Sequence, residues 1–279
     1  MQRKNIRPST TFDGHHTNPW SYFDHQNLAL YLNPGLTSGQ LLHITSAGSS
    51  FLSEMPKTMK FQIDPPTIAA PITLQQANEL TARYTPQVLQ RDLFSWMTPA
   101  HYDCRMAMAW MFSAPLAPWF TDSIQLRFVG SNPRRRKCIM ETLSRLLYGH
   151  ANAVGLSQAN PIVLSTTRPE LDTLNTVASH GALLATAGTD KMFTGKLQGR
   201  TAYLICNPSF ETSLISLPPA SLAAWRETML AVQVQVISKL LKRFEDERAR
   251  MAAQPAKIPY YTFQHGPVLH AIAEEMDAM

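Results

Sequence analysis

One stretch constrains this chain more than any other. Residues 123–129 alternate apolar and polar side chains as a half-buried strand does, and four consecutive cations, Arg134, Arg135, Arg136 and Lys137, follow almost at once. Between them, Asn132 is a good helix N-cap and Pro133 a good first helical residue. Ile139, Leu143, Leu146, Leu147, Ala151 and Val154 then recur at helical spacing up to Gly155. The reading is strand, cationic loop, amphipathic helix. A helix N-terminus already carries partial positive charge and unsatisfied N–H groups, so cations there are unfavourable unless an anion joins them. Phosphate is the common guest at such a terminus, so the pattern defines a candidate site and a ligand class.

The rest of the chain frames this unit. With 279 residues and 44% hydrophobic composition there is enough apolar material for a sizeable core. Charged residues make up 16%, and the net charge of +5 suits a phosphorylated ligand or nucleic acid without requiring either. Cys104, Cys138 and Cys206 are far apart and odd in number, which argues against a disulfide framework or a zinc ribbon. The first residues lack an apolar signal core, and no window is long and apolar enough for a membrane span, so the expected setting is cytoplasmic, without membrane contact. His15, His16 and His25 have no supporting ligand pattern, and no metal is expected.

Three regions are expected. Residues 1–70, broken by Pro and Gly, read as an extended N-terminal arm with short strands or one short helix. Residues 71–215 read as an α/β domain. Within it, 71–97 suggests two short helices parted at Pro86, and 105–112 is apolar enough to be strand or helix. Residues 161–166 form a short strand, 167–181 a helix opened by a capping-box pattern, and 191–206 a hairpin. Residues 216–279 read as a helical extension. A long helix runs from a cap at Ser221 to about Ala253, with Leu222, Trp225, Met229, Val236, Leu240 and Phe244 as its stripe. That stripe must be buried, on its own domain or against a partner.

The order strand, cationic loop, helix, strand, helix, hairpin over 121–206 resembles the GNAT N-acetyltransferase family. The loop match is Arg135, Arg136, Lys137, Cys138, Ile139 and Met140. The resemblance implies an α/β fold with a central mixed sheet flanked by helices. It also implies acyl-CoA-dependent N-acyl transfer to an amine. The backbone amides of 136–140 would cradle the pyrophosphate of acetyl-CoA, Arg135 and Lys137 would add charge, and the edge of the strand at Phe128 and Val129 would align the pantetheine arm. This chain departs from the family where Cys138 and Met140 stand at two small-residue positions. Val177 stands near the Tyr that often serves the family as general acid, and Gln125, with Asp122 nearby, stands where a Glu often serves as general base. No catalytic residue is assigned. Two further readings stay open. One is a GNAT-like protein without catalysis, built into a multiprotein assembly such as a viral or phage particle through the arm and the 221–253 helix, or self-associating there. The other is nucleic-acid binding through the basic loop, which would need Arg127, Arg145 and Arg168 on one face.

Overall fold

The computed structural model describes residues 21–24, 26–32, 41–52, 85–89, 101–120, 124–129, 162–165, 183–188, 203–206, 219–252 and 264–279. Two four-stranded sheets and a set of helices share one apolar core. The α/β class expected from the sequence is what the structure has.

The first sheet is an antiparallel meander of β1 (Ser21–Asp24), β2 (Ala29–Leu32), β3 (Leu41–Thr45) and β4 (Gly48–Leu52), in that order. Period-two alternation sends Phe23, Leu30, Leu32, Leu42 and Ile44 into the core and leaves Tyr22, Tyr31 and His43 half-buried on the other face. Side chains close both tight turns. Asp24 Oδ1 accepts from the Gln26 and Asn27 amides at 2.9 and 3.1 Å, and Oδ2 accepts from Asn27 Nδ2 at 2.7 Å. Thr45 pairs with Gly48 across a two-residue hairpin turn. Gly48 has φ 133°, which L side chains rarely adopt, although a Cβ there would meet nothing within 4 Å. The strain of a larger residue is therefore purely in the backbone. Gly48→Ala should lower stability by about 1 kcal/mol, read as a reduced urea midpoint at unchanged m-value.

Short strands were expected in this stretch, and four of them form a meander seated on the common core; residues 1–20 and 53–70 of the expected arm lie outside the described residues. The local apolar bursts were visible in the sequence, but each was too short to show that four strands would pair in register.

Helix α1 (Pro86–Leu89) begins at the expected proline, with Thr85 Oγ1 accepting from the Val88 amide. The ambiguous run at 105–112 is helical, within α2 (His101–Ser113). Met106 to Phe112 are all buried, so the helix is covered all round and shows no amphipathic period. Pro115 then forces a change, and Ala114–Trp119 is a 3-10 turn.

The second sheet comprises β5 (Gln125–Val129), β6 (Ile162–Ser165), β7 (Leu183–Gly188) and β8 (Tyr203–Cys206), in spatial order β6-β7-β5-β8. All three ladders are parallel. The central mixed sheet was expected within 71–215, and the ladders described there are all parallel, while the antiparallel sheet lies outside that region, at 21–52. Strand β8 falls on the second arm of the expected hairpin and runs parallel to β5, the first arm at 191–195 lies outside the described residues, and β7 was not foreseen.

Helix α3 (Pro219–Ala252) has 34 residues and starts two residues before the expected cap. Helix α4 (His265–Asp277) follows. Met229, Val232, Val236, Leu240 and Phe244 of α3 are buried in the same core as Leu126 and Phe128 of β5 and Val268, Leu269 and Ile272 of α4. From Met229 onward the stripe is covered by its own chain. The C-terminal helices are therefore part of the core. Gln233 Nε2 reaches the Phe112 carbonyl at 3.3 Å and helps satisfy the end of α2. Gln87 Nε2 does the same for the Met276 carbonyl of α4 at 2.8 Å.

Candidate functional site

The expected anion site begins where β5 ends. Val129 is the last residue of that strand and pairs with Gly188, the last of β7. Phe128 pairs with Ala187 on one side and with Cys206, the last of β8, on the other. The carboxyl ends of three strands therefore lie side by side. This edge is where open parallel sheets place ligands. Arg134, Arg135, Arg136, Lys137, Cys138, Ile139 and Met140 lie outside the described residues, as do Asp122, Arg145, Arg168, Val177, His15, His16 and His25.

Flanking strands change one element of the cofactor reading. The pantetheine arm was expected to run along a strand edge at Phe128 and Val129. Phe128 has hydrogen-bonded strands on both sides, so it offers no such edge. Strand β5 does not pair with β6, although the acetyltransferase resemblance makes 161–166 the next strand after the loop and helix.

Two polar residues of β5 are buried. Gln125 and Arg127 are each 2% exposed, and Arg127 Nε donates to Gln125 Oε1 at 3.0 Å. The nucleic-acid reading counted Arg127 among surface cations, but its burial removes it from any face a polyanion could reach. Gln125, where the acetyltransferase resemblance looks for a base, spends its carbonyl oxygen on that arginine, and its Nε2 has no partner among the described residues.

A second buried polar cluster carries no signal in the sequence. His265, fully buried at the start of α4, accepts at Nδ1 from the Ile124 amide at 2.9 Å. A backbone N–H can only donate, so Nδ1 is bare and Nε2 carries the proton of the neutral ring. Nε2–H therefore donates to Ser113 Oγ at 2.9 Å, and the hydroxyl donates onward to the Trp110 carbonyl at 2.7 Å. Trp110 Nε1 donates to the Ile124 carbonyl at 2.7 Å, and Phe120 stacks on the imidazole with centroids 4.3 Å apart. Burial pushes the His265 pKa down to about 3.

A serine beside a histidine nitrogen invites a nucleophile–base reading, and the direction of the hydrogen bonds rules it out. A base must accept the hydroxyl proton, whereas this nitrogen donates to the hydroxyl. Both side chains are also fully buried. The cluster is a structural node joining α2, β5 and α4. A lone histidine at the start of a helix carries no spacing signal that could have marked it.

No protein-family model matches the chain, and a search of curated proteins finds no relative.

The acetyltransferase resemblance therefore rests on the residues quoted for it. Among the described residues, no group of three or more His, Cys, Asp or Glu side chains could hold a metal ion, and no helix is long and apolar enough to cross a membrane.

Proposed function

We propose that the protein binds a phosphorylated ligand, with acyl-CoA the first class to test, at the carboxyl edge of the parallel sheet. The observation that carries this reading is the position of β5. It is an interior strand whose carboxyl end, at Val129, feeds a sequence in which four cations begin five residues later. Five residues span at most about 18 Å, so the first cation stays within reach of the edge formed by Val129, Gly188 and Cys206. Arg135, Arg136 and Lys137 supply charge in this reading, and the amides from Arg136 to Met140 supply donors. Acyl transfer to an amine is the reaction that goes with the ligand. A cytoplasmic setting belongs to the same proposal.

The second reading is a phosphate-binding or assembly protein without catalysis. The pairing of Phe128 on both sides favours it, because at that residue the strand edge that would align the acyl arm in the transferase reading is already used by β7 and β8. Titration calorimetry with acetyl-CoA, free CoA and inorganic phosphate separates the two. Micromolar binding of both CoA species, weakened at least tenfold in the Arg135→Ala/Lys137→Ala double variant, is the expected result and opens a search for amine acceptors. Phosphate binding without preference for CoA selects the second reading. A folded protein that binds none of the three overturns the site.

A further inference from the structure

The geometry points to the outer face of the first sheet as a docking surface for an arginine-bearing peptide segment. This surface is separate from the carboxyl edge discussed above. Tyr22, Tyr31 and His43 stand opposite one another on β1, β2 and β3. The Tyr31 and His43 rings stack with centroids 4.6 Å apart at 26°, and Tyr22 leans on Tyr31 at 6.2 Å and 52°. Leu41, on the same face as His43, is buried with Tyr22 and Tyr31 packed against it, so one end of the row is firmly seated.

Asp24 places a carboxylate on this face. Asp24 lies two residues from Tyr22 and therefore on the same side of β1. Its carboxylate oxygens are held in place by the Gln26 and Asn27 amides and Asn27 Nδ2, all neutral donors. Arg248 comes to this turn but gives its guanidinium to the Gln26 carbonyl, and Asp24 makes no ion pair among the described residues. The carboxylate is felt by the whole row: after burial, it is the next cause raising the pKa of Tyr22 and of Tyr31, and it partly offsets the lowering of His43 by burial. A fixed carboxylate beside electron-rich ring faces is complementary to a planar cation. Guanidinium can satisfy both together, pairing with the carboxylate through its N–H fork and lying against a tyrosine ring.

The test follows backbone amide resonances of the full chain during titration with acetyl-Gly-Arg-Gly-Arg-Gly-amide, with the citrulline peptide as neutral control. Shifts centred on residues 22–24, 31 and 43 and millimolar binding are expected. Binding should weaken about fivefold for the citrulline peptide, and again about fivefold for Asp24→Asn, whose side-chain oxygen still accepts from the Gln26 and Asn27 backbone amides while the bond from Asn27 Nδ2 is lost. Tyr31→Phe, which keeps the ring, should bind as the parent does. Equal binding of the two peptides, no loss in Asp24→Asn, or shifts elsewhere would overturn the proposal. So would concentration-dependent shifts without peptide, which would make a second copy the occupant, or stronger binding of single-stranded oligothymidylate to the same residues.

Discussion

Replacing Trp110 with alanine is expected to cost about 5 kcal/mol, a large part of what a domain of this kind has to spare. Two physical losses combine. The indole is fully buried at the centre of the common core, so its removal leaves a cavity lined by residues from several elements. Its Nε1–H also satisfies the Ile124 carbonyl, at the entry to β5, and that carbonyl would be left without its donor. Trp110→Phe separates the two contributions, because it keeps most of the apolar volume and removes only the donor. About 2 kcal/mol is expected for it. Urea unfolding followed by far-UV circular dichroism reads both, and equal costs for the two variants would show that the volume contributes nothing.

Acidification should destabilise the protein well above the range of its carboxylates. His265 titrates near 6.5 when unfolded and is pushed to about 3 in the fold. The unfolded chain therefore binds a proton that the native state refuses, so the stabilisation is complete above pH 6.5 and is lost as pH falls toward 3. The sum over that window is about 5 kcal/mol for this one group. His43, also lowered by burial, adds a contribution of the same sign. Glu245 and Glu274 are lowered from 4.5 through hydrogen bonds with Lys242 and Arg243, so their stabilisation is lost only below that pH. The interval from pH 6.5 to 5 thus isolates the histidines. His265→Gln, whose amide can replace only part of the node, should start less stable and show a flatter dependence in that interval. An unchanged slope in the variant would remove His265 as the cause.

The helices and single strands that the sequence revealed were those with a long or clean local pattern. Residues 125–129 alternate, Met229 to Phe244 repeat at helical spacing, and Pro86 punctuates, so β5, α3 and α1 were visible. Pairing was not visible, because strand partners are chosen by burial across long separations. Tyr203 to Cys206 looks equally strand-like beside β5 or as one arm of a hairpin. The helical state of α2 was hidden because burial on every side erases the period that distinguishes a helix from a strand. At the candidate site, the cations and the strand leading to them were legible. The neighbours that flank that strand were not, and they bear most directly on the choice between an acyl-transfer site and a simpler phosphate site.

The order in which partners are added around β5 sets a folding schedule. The meander joins residues close in sequence, such as Thr45 with Gly48 and Asp24 with Ala29. Leu126, by contrast, must meet Ala185 and Leu204, and its nearer strand in sequence, β6, is not its neighbour. Local hairpins form in microseconds, whereas pairings that enclose long loops wait on a rarer encounter. Refolding should therefore have two speeds, with a fast phase in the first sheet and a slower one that completes β5. Until β7 and β8 arrive, both ladders of that strand stand open, and during this interval the chain is most exposed to pairing with another copy of itself.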